Sequence, residues 1–180
     1  MEALTRMAQR ANSDVIASAA AGDELAFRRI IVEHHEDMRR VCVYVTRDDV
    51  VAEEAAYAAW VIAWRKIGSV REPESLRPWL TAVAVNEAKR LLRNRKRRAE
   101  IEVKADGAGV PGGVDPATGV DSIDLRAAGE RLDPDDRALI AMRDGAGFNS
   151  SELSVATGKS PAATRQRLKR LLDRLREDLA

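Results

Sequence analysis

The sequence predicts an all-α protein: two small helical domains joined by a flexible acidic linker, with a helix-turn-helix in the C-terminal domain. In residues 13–98 and 123–180, apolar side chains recur at the 3.6-residue spacing of amphipathic helices. Residues 99–122 are rich in glycine, proline and acidic side chains, a composition typical of a linker. A length of 180 residues suits two such domains.

Charge is distributed unevenly along the chain. The net charge is only +1, yet basic residues crowd residues 89–98 and 159–176, while acidic residues dominate 100–124. Such segregation indicates that particular faces of the molecule meet an anionic partner.

Cysteine content and hydropathy indicate the compartment. Cys42 is the only cysteine, which excludes an intramolecular disulfide and a cysteine-based zinc site and fits a reducing cytoplasm. No apolar run approaches transmembrane length, and the N-terminus lacks the apolar core of a signal peptide. We therefore expect a soluble, cytoplasmic protein with no membrane insertion.

Two helices are predicted behind a flexible lead-in at residues 1–12. Ser13 is expected to cap a short helix that runs through Ala21 and stops at Gly22. Asp23 is expected to cap a longer helix. The apolar stripe of that helix comprises Phe27, Ile30, Ile31, His34, Met38, Val41, Cys42 and Val45.

The adjacent histidines His34 and His35 precede Glu36 and Asp37, a combination that raises the question of a metal site. Adjacent residues on a helix point about 100° apart, whereas helical metal ligands need i, i+3 or i+4 spacing. His34 also belongs to the apolar stripe. We therefore predict a buried, hydrogen-bonded histidine, with no metal and no cofactor.

The helix predicted at residues 49–66 follows a turn with capping residues at 46–49. Its large apolar residues share one face and are expected to form core against small alanines: Tyr57, Trp60, Val61 and Trp64. Glu53 and Glu54 remain outward near the helix start, where carboxylates suit the helix dipole. Gly68 is expected to end the helix.

A basic helix is predicted from residue 76, after the polar loop at residues 70–75. Ser75 is its expected N-cap, and Pro78 falls in the first turn. One side is apolar: Leu76, Leu80, Val83, Ala84, Ala88 and Leu91. The other side carries Trp79 and a set of polar and basic residues: Asn86, Lys89, Arg90, Arg93 and Arg97.

The position of Trp79 leaves two interpretations open. An aromatic ring on a cationic face beside a loop suits unstacked single-stranded bases, which stack on rings while cations hold their phosphates. A solvated basic helix whose tryptophan is covered by the loop has the same periodicity.

In the C-terminal domain, three residues are expected helix N-caps: Asp133, Asn149 and Ser160. Glu152, three residues after Asn149, predicts a capping box, and Gly158 predicts the turn of a helix-turn-helix. A short helix before them is suggested by Ile123, Leu125 and Leu132.

The last helix has a buried stripe predicted at Thr164, Leu168, Leu171, Leu172, Leu175 and Leu179. Its outward residues are Ala162, Ala163, Gln166, Lys169, Arg170 and Asp173, with Arg165 and Arg167 on the flanks. Small residues at the start would let the helix enter a major groove, while glutamine and arginine supply hydrogen bonds to base edges. An ordinary amphipathic helix is the alternative, but the caps, turn and basic face together favour DNA binding.

Two motifs resemble the extracytoplasmic-function (ECF) sigma factors of bacterial RNA polymerase. The first runs from Ala52-Glu53-Glu54 through Trp60 to Ala63-Trp64-Arg65, then Pro78-Trp79-Leu80, Ala84-Val85-Asn86 and the basic run to Arg98. The second runs from Leu132-Asp133-Pro134 with Arg137 through Gly147-Phe148 to Arg170. The resemblance implies a promoter-melting domain at 13–98 and a domain that reads the −35 element at 123–180.

The resemblance also implies partners and site residues. Core RNA polymerase, at its clamp helices, would be bound by Glu53, Glu54 and Tyr57. The −10 element would be bound by Arg71, Ser75, Trp79, Asn86, Lys89, Arg90 and Arg93. The −35 element would be bound by Ser160, Arg165, Gln166, Arg167, Lys169 and Arg170. The linker would thread the polymerase's nucleic-acid channel, an anti-sigma protein is a common partner, and the chain would not be an enzyme, because the polymerase does the chemistry.

The sequence departs from the family pattern at three places. Tyr57 and Ala58 stand where the clamp-binding motif usually has a glutamine and an acidic residue. The remaining departures are in the loop and the helix-turn-helix: Val70 and Leu76 replace aromatic residues, and Thr157 and Lys159 replace apolar ones.

Two other functions were weighed. A stand-alone helix-turn-helix transcriptional regulator would need a dimer to read two half-sites, and the sequence has no coiled-coil heptads to supply one. A helical enzyme or a scaffold is the other alternative. The enzyme would need a phosphate-binding glycine motif, a set of metal ligands, or a catalytic nucleophile paired with a general base. None of these is recognisable in the sequence.

Overall fold

The computed structural model describes residues 2–106 and 132–178. Within these ranges the chain forms seven α-helices and no strand, which confirms the all-α class. Short 3₁₀ turns at Ile67–Ser69 and Pro73–Ser75 connect the third helix to the fourth, and a π-helical turn at Ala141–Gly145 follows the fifth. The helices are α1 (Glu2–Ala20), α2 (Glu24–Thr46), α3 (Asp49–Lys66), α4 (Leu76–Asp106), α5 (Pro134–Ile140), α6 (Ser150–Thr157) and α7 (Pro161–Asp178).

Helix α1 begins at Glu2, so the flexible lead-in predicted at residues 1–12 is wrong, and Ser13 lies inside the helix. Most of residues 2–12 are alanine, glutamate, leucine, arginine, methionine or glutamine, which favour helix by propensity even where no apolar stripe shows. The predicted end is confirmed: the chain turns at Gly22, whose φ of 94° suits a residue without Cβ.

The predicted caps of α2 and α3 are confirmed. The Asp23 carboxylate accepts the backbone N–H of Leu25 at 2.9 Å and of Ala26 at 3.2 Å, and the Asp48 carboxylate accepts that of Val51 at 3.0 Å. The predicted bounds of α3 coincide with the observed ones. The α2 stripe is buried, with Ile31 and His34 half-buried at its edge.

Helix α3 packs through alanines. Five of them have 0% exposed surface: Ala52, Ala55, Ala56, Ala59 and Ala63. Trp60 is buried as predicted, but Tyr57, Val61 and Trp64 are 60%, 55% and 39% exposed, so their assignment to the core is wrong. Helix α3 has two apolar faces. The face of small side chains is the buried one, because it lets α3 approach its neighbours closely.

Helix α4 buries the predicted apolar side, including Leu80, Ala84 and Ala88. It continues to Asp106, so residues 99–106 extend the helix where the linker was predicted to begin. These residues contain neither glycine nor proline, and nothing in the segment therefore interrupts the helix. The rest of the predicted linker, and Ile123 and Leu125, lie outside the described residues.

The C-terminal helices pack directly against α2 and α4. The Arg137 guanidinium donates to the carbonyl of Val45 on α2 at 2.9 Å. Arg77 of α4 donates to the carbonyl of Ala146 at 2.6 Å, and its guanidinium carbon lies 4.8 Å from the centre of the buried Phe148 ring. The predicted caps Asp133 and Asn149 are both present, the latter in a capping box with Glu152.

Neither a metal-binding cluster nor a membrane-spanning helix is present in the described ranges. No three or more His, Cys, Asp or Glu side chains there come together as a group that could hold a metal ion. No helix of the described part has the length and apolar character needed to cross a membrane.

His34 gives the fold a pH dependence. Its side chain is only 12% exposed, and burial lowers its pKa below the ordinary 6.5 although Glu33 and Asp37 oppose the shift. Because the His34 pKa is lower in the folded chain, His34 binds a proton more readily in the unfolded chain. We therefore expect the free energy of unfolding to decrease as the pH falls below about 6.5.

Urea denaturation at several pH values between about 7.5 and about 5.5 measures this effect, above the range in which carboxylates titrate. His34→Gln should lose this part of the pH dependence. An identical slope in the variant and the wild type would contradict the assignment.

Candidate functional site

Helix α3 presents an apolar and acidic outer surface. Tyr57, Val61 and Trp64 follow one another at i, i+4 and i+7 spacing and are all exposed. Glu53 and Glu54 lie one turn earlier on the same helix. We call these five residues the α3 face. A contiguous exposed apolar row beside charged groups is typical of an interaction surface.

Side chains of α2 and α3 support the start of this face. The indole N–H of Trp60 donates to Nδ1 of His35 at 3.1 Å, and Nε2 of His35 lies 3.5 Å from a carboxylate oxygen of Glu53. The His35 and Tyr57 rings are 5.5 Å apart between centroids. A hydrogen bond with Glu53 raises the pKa of the Tyr57 hydroxyl. From the sequence, His35 is recognisable only as a candidate metal ligand, and this contact with α3 was missed.

The basic side of α4 lies where the sequence predicted it. Asn86, Arg90 and Arg93 are exposed. Arg90 donates to Glu87 at 2.8 Å. Lys89 is half-buried, because its ammonium donates to the Asp135 carboxylate on α5 at 2.7 Å.

Trp79 faces the C-terminal helices. It lines a cleft of about 490 Å³ between α4 and those helices, together with Asn86, Lys89, Leu139 and Lys159. The ring is half-buried. Trp79 is therefore partly buried by the C-terminal helices. Neither stacking on a base nor burial by the loop, the two interpretations of the sequence, includes this contact.

The loop before α4 carries the last two predicted −10 residues. Arg71 is exposed. Ser75 is half-buried at the end of the 3₁₀ turn, where its backbone N–H donates to the carbonyl of Glu72 at 2.9 Å. This turn leads directly into α4, so both residues lie close in sequence to Trp79.

Helix α7 exposes most of the predicted −35 residues. Ser160 caps it as predicted, because its hydroxyl oxygen accepts the N–H of Ala163 at 3.3 Å. Thr164 and Leu171 are buried on the inner side. The exposed residues are Ser160, Arg165, Gln166, Lys169 and Arg170.

Arg167 is placed differently from the other predicted −35 residues. It donates to one oxygen of Asp136 through two nitrogens, at 2.9 and 2.6 Å, while Arg174 donates to the other oxygen at 2.8 Å. The Asp136 side chain is only 6% exposed. This carboxylate therefore links α5 to α7 and is the hydrogen-bond acceptor of Arg167.

The Asp136 cluster supplies a stability test. Asp136→Ala leaves the half-buried Arg167 with the longer contact to Asp133, at 3.8 Å, and removing one member of a buried ion pair is strongly destabilising. We expect the free energy of unfolding to fall by about 3 kcal/mol in chemical denaturation.

Asp173→Ala is the matched control, because it removes an exposed ion pair with Arg176 on the same helix. Its effect should stay within about 0.5 kcal/mol. Equal effects of the two substitutions would contradict the bridging role of Asp136.

Comparison with known proteins identifies the family. Residues 30–98 match Sigma-70 region 2. The chain is 31% identical over 172 residues to the ECF RNA polymerase sigma factor SigM of Mycobacterium tuberculosis (strain Erdman), an alignment that covers 91% of this chain and 86% of SigM. It is 28% identical to the probable RNA polymerase sigma factor RfaY of Xanthomonas campestris pv. campestris, over 89% of this chain but 42% of RfaY.

Solved structures show the same fold. CnrH, in complex with the cytosolic domain of CnrY, has a TM-score of 0.68 at 20% identity, with 94% of this chain and 97% of CnrH covered. RpoE, in complex with the anti-sigma factor NepR from Bartonella quintana, has a TM-score of 0.66 at 23% identity, with 85% and 96% covered.

These relatives support the sigma-factor interpretation over the stand-alone regulator. The helical architecture, the region 2 match and the similarity to SigM along most of both chains agree. The chain belongs to the ECF family of RNA polymerase sigma factors.

Proposed function

We propose that this sigma factor binds core RNA polymerase through the α3 face and contacts promoter DNA through α4 and α7. The α3 face carries the proposal: exposed Tyr57, Val61 and Trp64 lie beside two carboxylates on a helix whose opposite side is buried. Aromatic anchors supply much of the binding free energy at protein interfaces. The family resemblance makes the clamp helices the partner of this face.

The basic side of α4 supports recognition and opening of the −10 element. Exposed Arg90 and Arg93 can hold phosphates, and Trp79 offers a ring on which a flipped base can stack. Flipping a base costs a few kcal/mol of lost stacking, which such contacts must offset. Arg71, Ser75 and Asn86 would contribute from the loop and the same helix side.

This assignment requires a rearrangement. Trp79 and Lys89 face the C-terminal helices, and Lys89 is bound to Asp135. Helices α4 and α5 must therefore separate before both residues reach DNA. Charge-based contacts suit such a step, because water and DNA phosphates can replace the carboxylate.

Helix α7 supports recognition of the −35 element. Ala162 and Ala163 at its start are exposed and small, which permits close approach to a major groove. Gln166 can read adenine edges and Arg170 guanine edges, while Ser160, Arg165 and Lys169 suit phosphates. Arg167, bound to Asp136, would act by orienting the helix.

The remaining assignments follow from the same proposal. The polymerase would carry out the chemistry, so this chain would act in the cytoplasm as a specificity subunit and not as an enzyme. RpoE is known in complex with the anti-sigma factor NepR. We propose a partner of the same kind for this chain.

The α3 face is tested by co-elution of the full chain with bacterial core RNA polymerase on a sizing column. The double substitution Glu53→Lys, Glu54→Lys should weaken binding at least about tenfold, because it places cations where carboxylates meet the partner. Glu33→Lys with Glu36→Lys makes the same charge change on exposed positions of α2 and should co-elute normally. Normal co-elution of the first variant would contradict the proposed face.

The exposed residues of α7 are tested by binding to a DNA duplex. The duplex carries a promoter that core polymerase recognises when it is assembled with this sigma factor. Arg170→Ala should weaken binding about tenfold and relax the preference for guanine at one position, because Arg170 is proposed to contact a base edge. Arg176→Ala removes an exposed arginine of the last turn, where it is bound to Asp173. Equal losses in the two variants would indicate a nonspecific charge effect and contradict the assignment.

A further inference from the structure

We infer that His35 is a positioning residue for polymerase binding: from α2 it holds Glu53 and Tyr57 of the α3 face in place. The inference rests on the proposed function of that face. His35 is itself only 25% exposed on its side chain, so it acts through the two residues that it touches.

The His35 ring is fixed from the core side. Trp60 is buried and packs edge-on against Phe27, with ring centroids 5.7 Å apart. A buried indole N–H needs an acceptor, and Nδ1 of His35 provides it at 3.1 Å. An Nδ1 that accepts carries no proton, so in the neutral ring the proton lies on Nε2.

That proton points toward the α3 face. Nε2 lies 3.5 Å from a carboxylate oxygen of Glu53, a distance of electrostatic contact. The His35 ring also lies beside Tyr57, with 33° between the ring planes. Tyr57 and Glu53 are neighbours at i, i+4 spacing on α3, and Glu53 raises the pKa of the Tyr57 hydroxyl. Three side chains from two helices thus restrain one another.

Exposure increases along this chain of contacts from the core to the surface. Trp60 is 6% exposed, the His35 and Glu53 side chains are 25% and 37% exposed, and Tyr57 is 60% exposed. A buried anchor therefore fixes the orientation of two exposed groups. Fixing a binding group before it meets its partner removes part of the ordering cost of association.

Tyr57 explains why a histidine suits position 35 in this chain. It stands where the clamp-binding motif of the family usually carries a glutamine, and a ring on α2 gives this tyrosine an aromatic neighbour. His35 and Tyr57 thus form a matched pair across α2 and α3.

Two substitutions separate positioning from simple folding. In His35→Asn the amide oxygen replaces Nδ1 and still accepts from Trp60, but the side chain at position 35 no longer reaches Glu53. In His35→Gln the longer amide replaces Nε2 and donates toward Glu53, but the indole N–H loses its acceptor. Glu36→Gln, next to His35 and bound only to Arg39 among the contacts described, is the matched control.

Affinity for core polymerase and the midpoint of thermal unfolding are measured for all three full-length variants. We expect His35→Asn to keep the wild-type midpoint and to bind polymerase about fivefold more weakly. His35→Gln should melt at a lower temperature and bind more tightly than His35→Asn. Glu36→Gln should match the wild type in both.

Two results would overturn the inference in different ways. If affinity follows the melting temperature through the series, His35 has only a structural role. If Glu53→Lys binds polymerase as tightly as the wild type, the α3 face itself is wrongly assigned, and the role of His35 is lost with it.

Discussion

Close packing of helices through alanine is the constraint on which the rest of the N-terminal half depends. Five alanines of α3 have no exposed surface, and Ala84 and Ala88 of α4 are equally buried. Helices that meet through Cβ atoms approach closely. Of the aromatic side chains of α3, Trp60 is buried, whereas Tyr57 and Trp64 lie outside together with Val61. The same packing that stabilises the bundle thus creates the exposed α3 face.

The two halves of the chain share one hydrophobic cluster, and polar contacts across the boundary add to it. Arg77 and Arg137 donate to backbone carbonyls across the boundary, and Lys89 meets Asp135. Such charged and polar contacts exchange readily with water and with phosphate. The junction to the C-terminal helices therefore combines apolar burial with contacts that a polyanion can replace.

Local features were predictable from the sequence because their causes lie within a few residues. The caps Asp23, Asn149 and Ser160, the capping turn at residues 46–49 and the bounds of α3 are of this kind. The start of α1 was missed because propensity, without an apolar stripe, was given too little weight.

Long-range features were not predictable. On α3 an alanine face and an aromatic face compete, and periodicity does not say which one is buried. Arg167 is 31 residues from Asp136, and Arg77 is 69 residues from Ala146. From the sequence alone, a basic residue on a helix flank, such as Arg167, suggests DNA binding, because its carboxylate partner lies far away along the chain. His35 was missed for the same reason, since Trp60 and Glu53 reach it from another helix.

The pairing of Lys89, Arg167 and Arg174 with the carboxylates of α5 has a kinetic consequence. Two opposite charges in contact cancel most of each other's field at distances well beyond their separation, and salt screens the remainder beyond a Debye length of about 8 Å. In this closed arrangement the three cations contribute little to the attraction that guides a protein toward DNA from a distance. Encounter with nucleic acid would then depend on the exposed cations of α4 and α7, and separation of the halves would raise the association rate as well as the affinity.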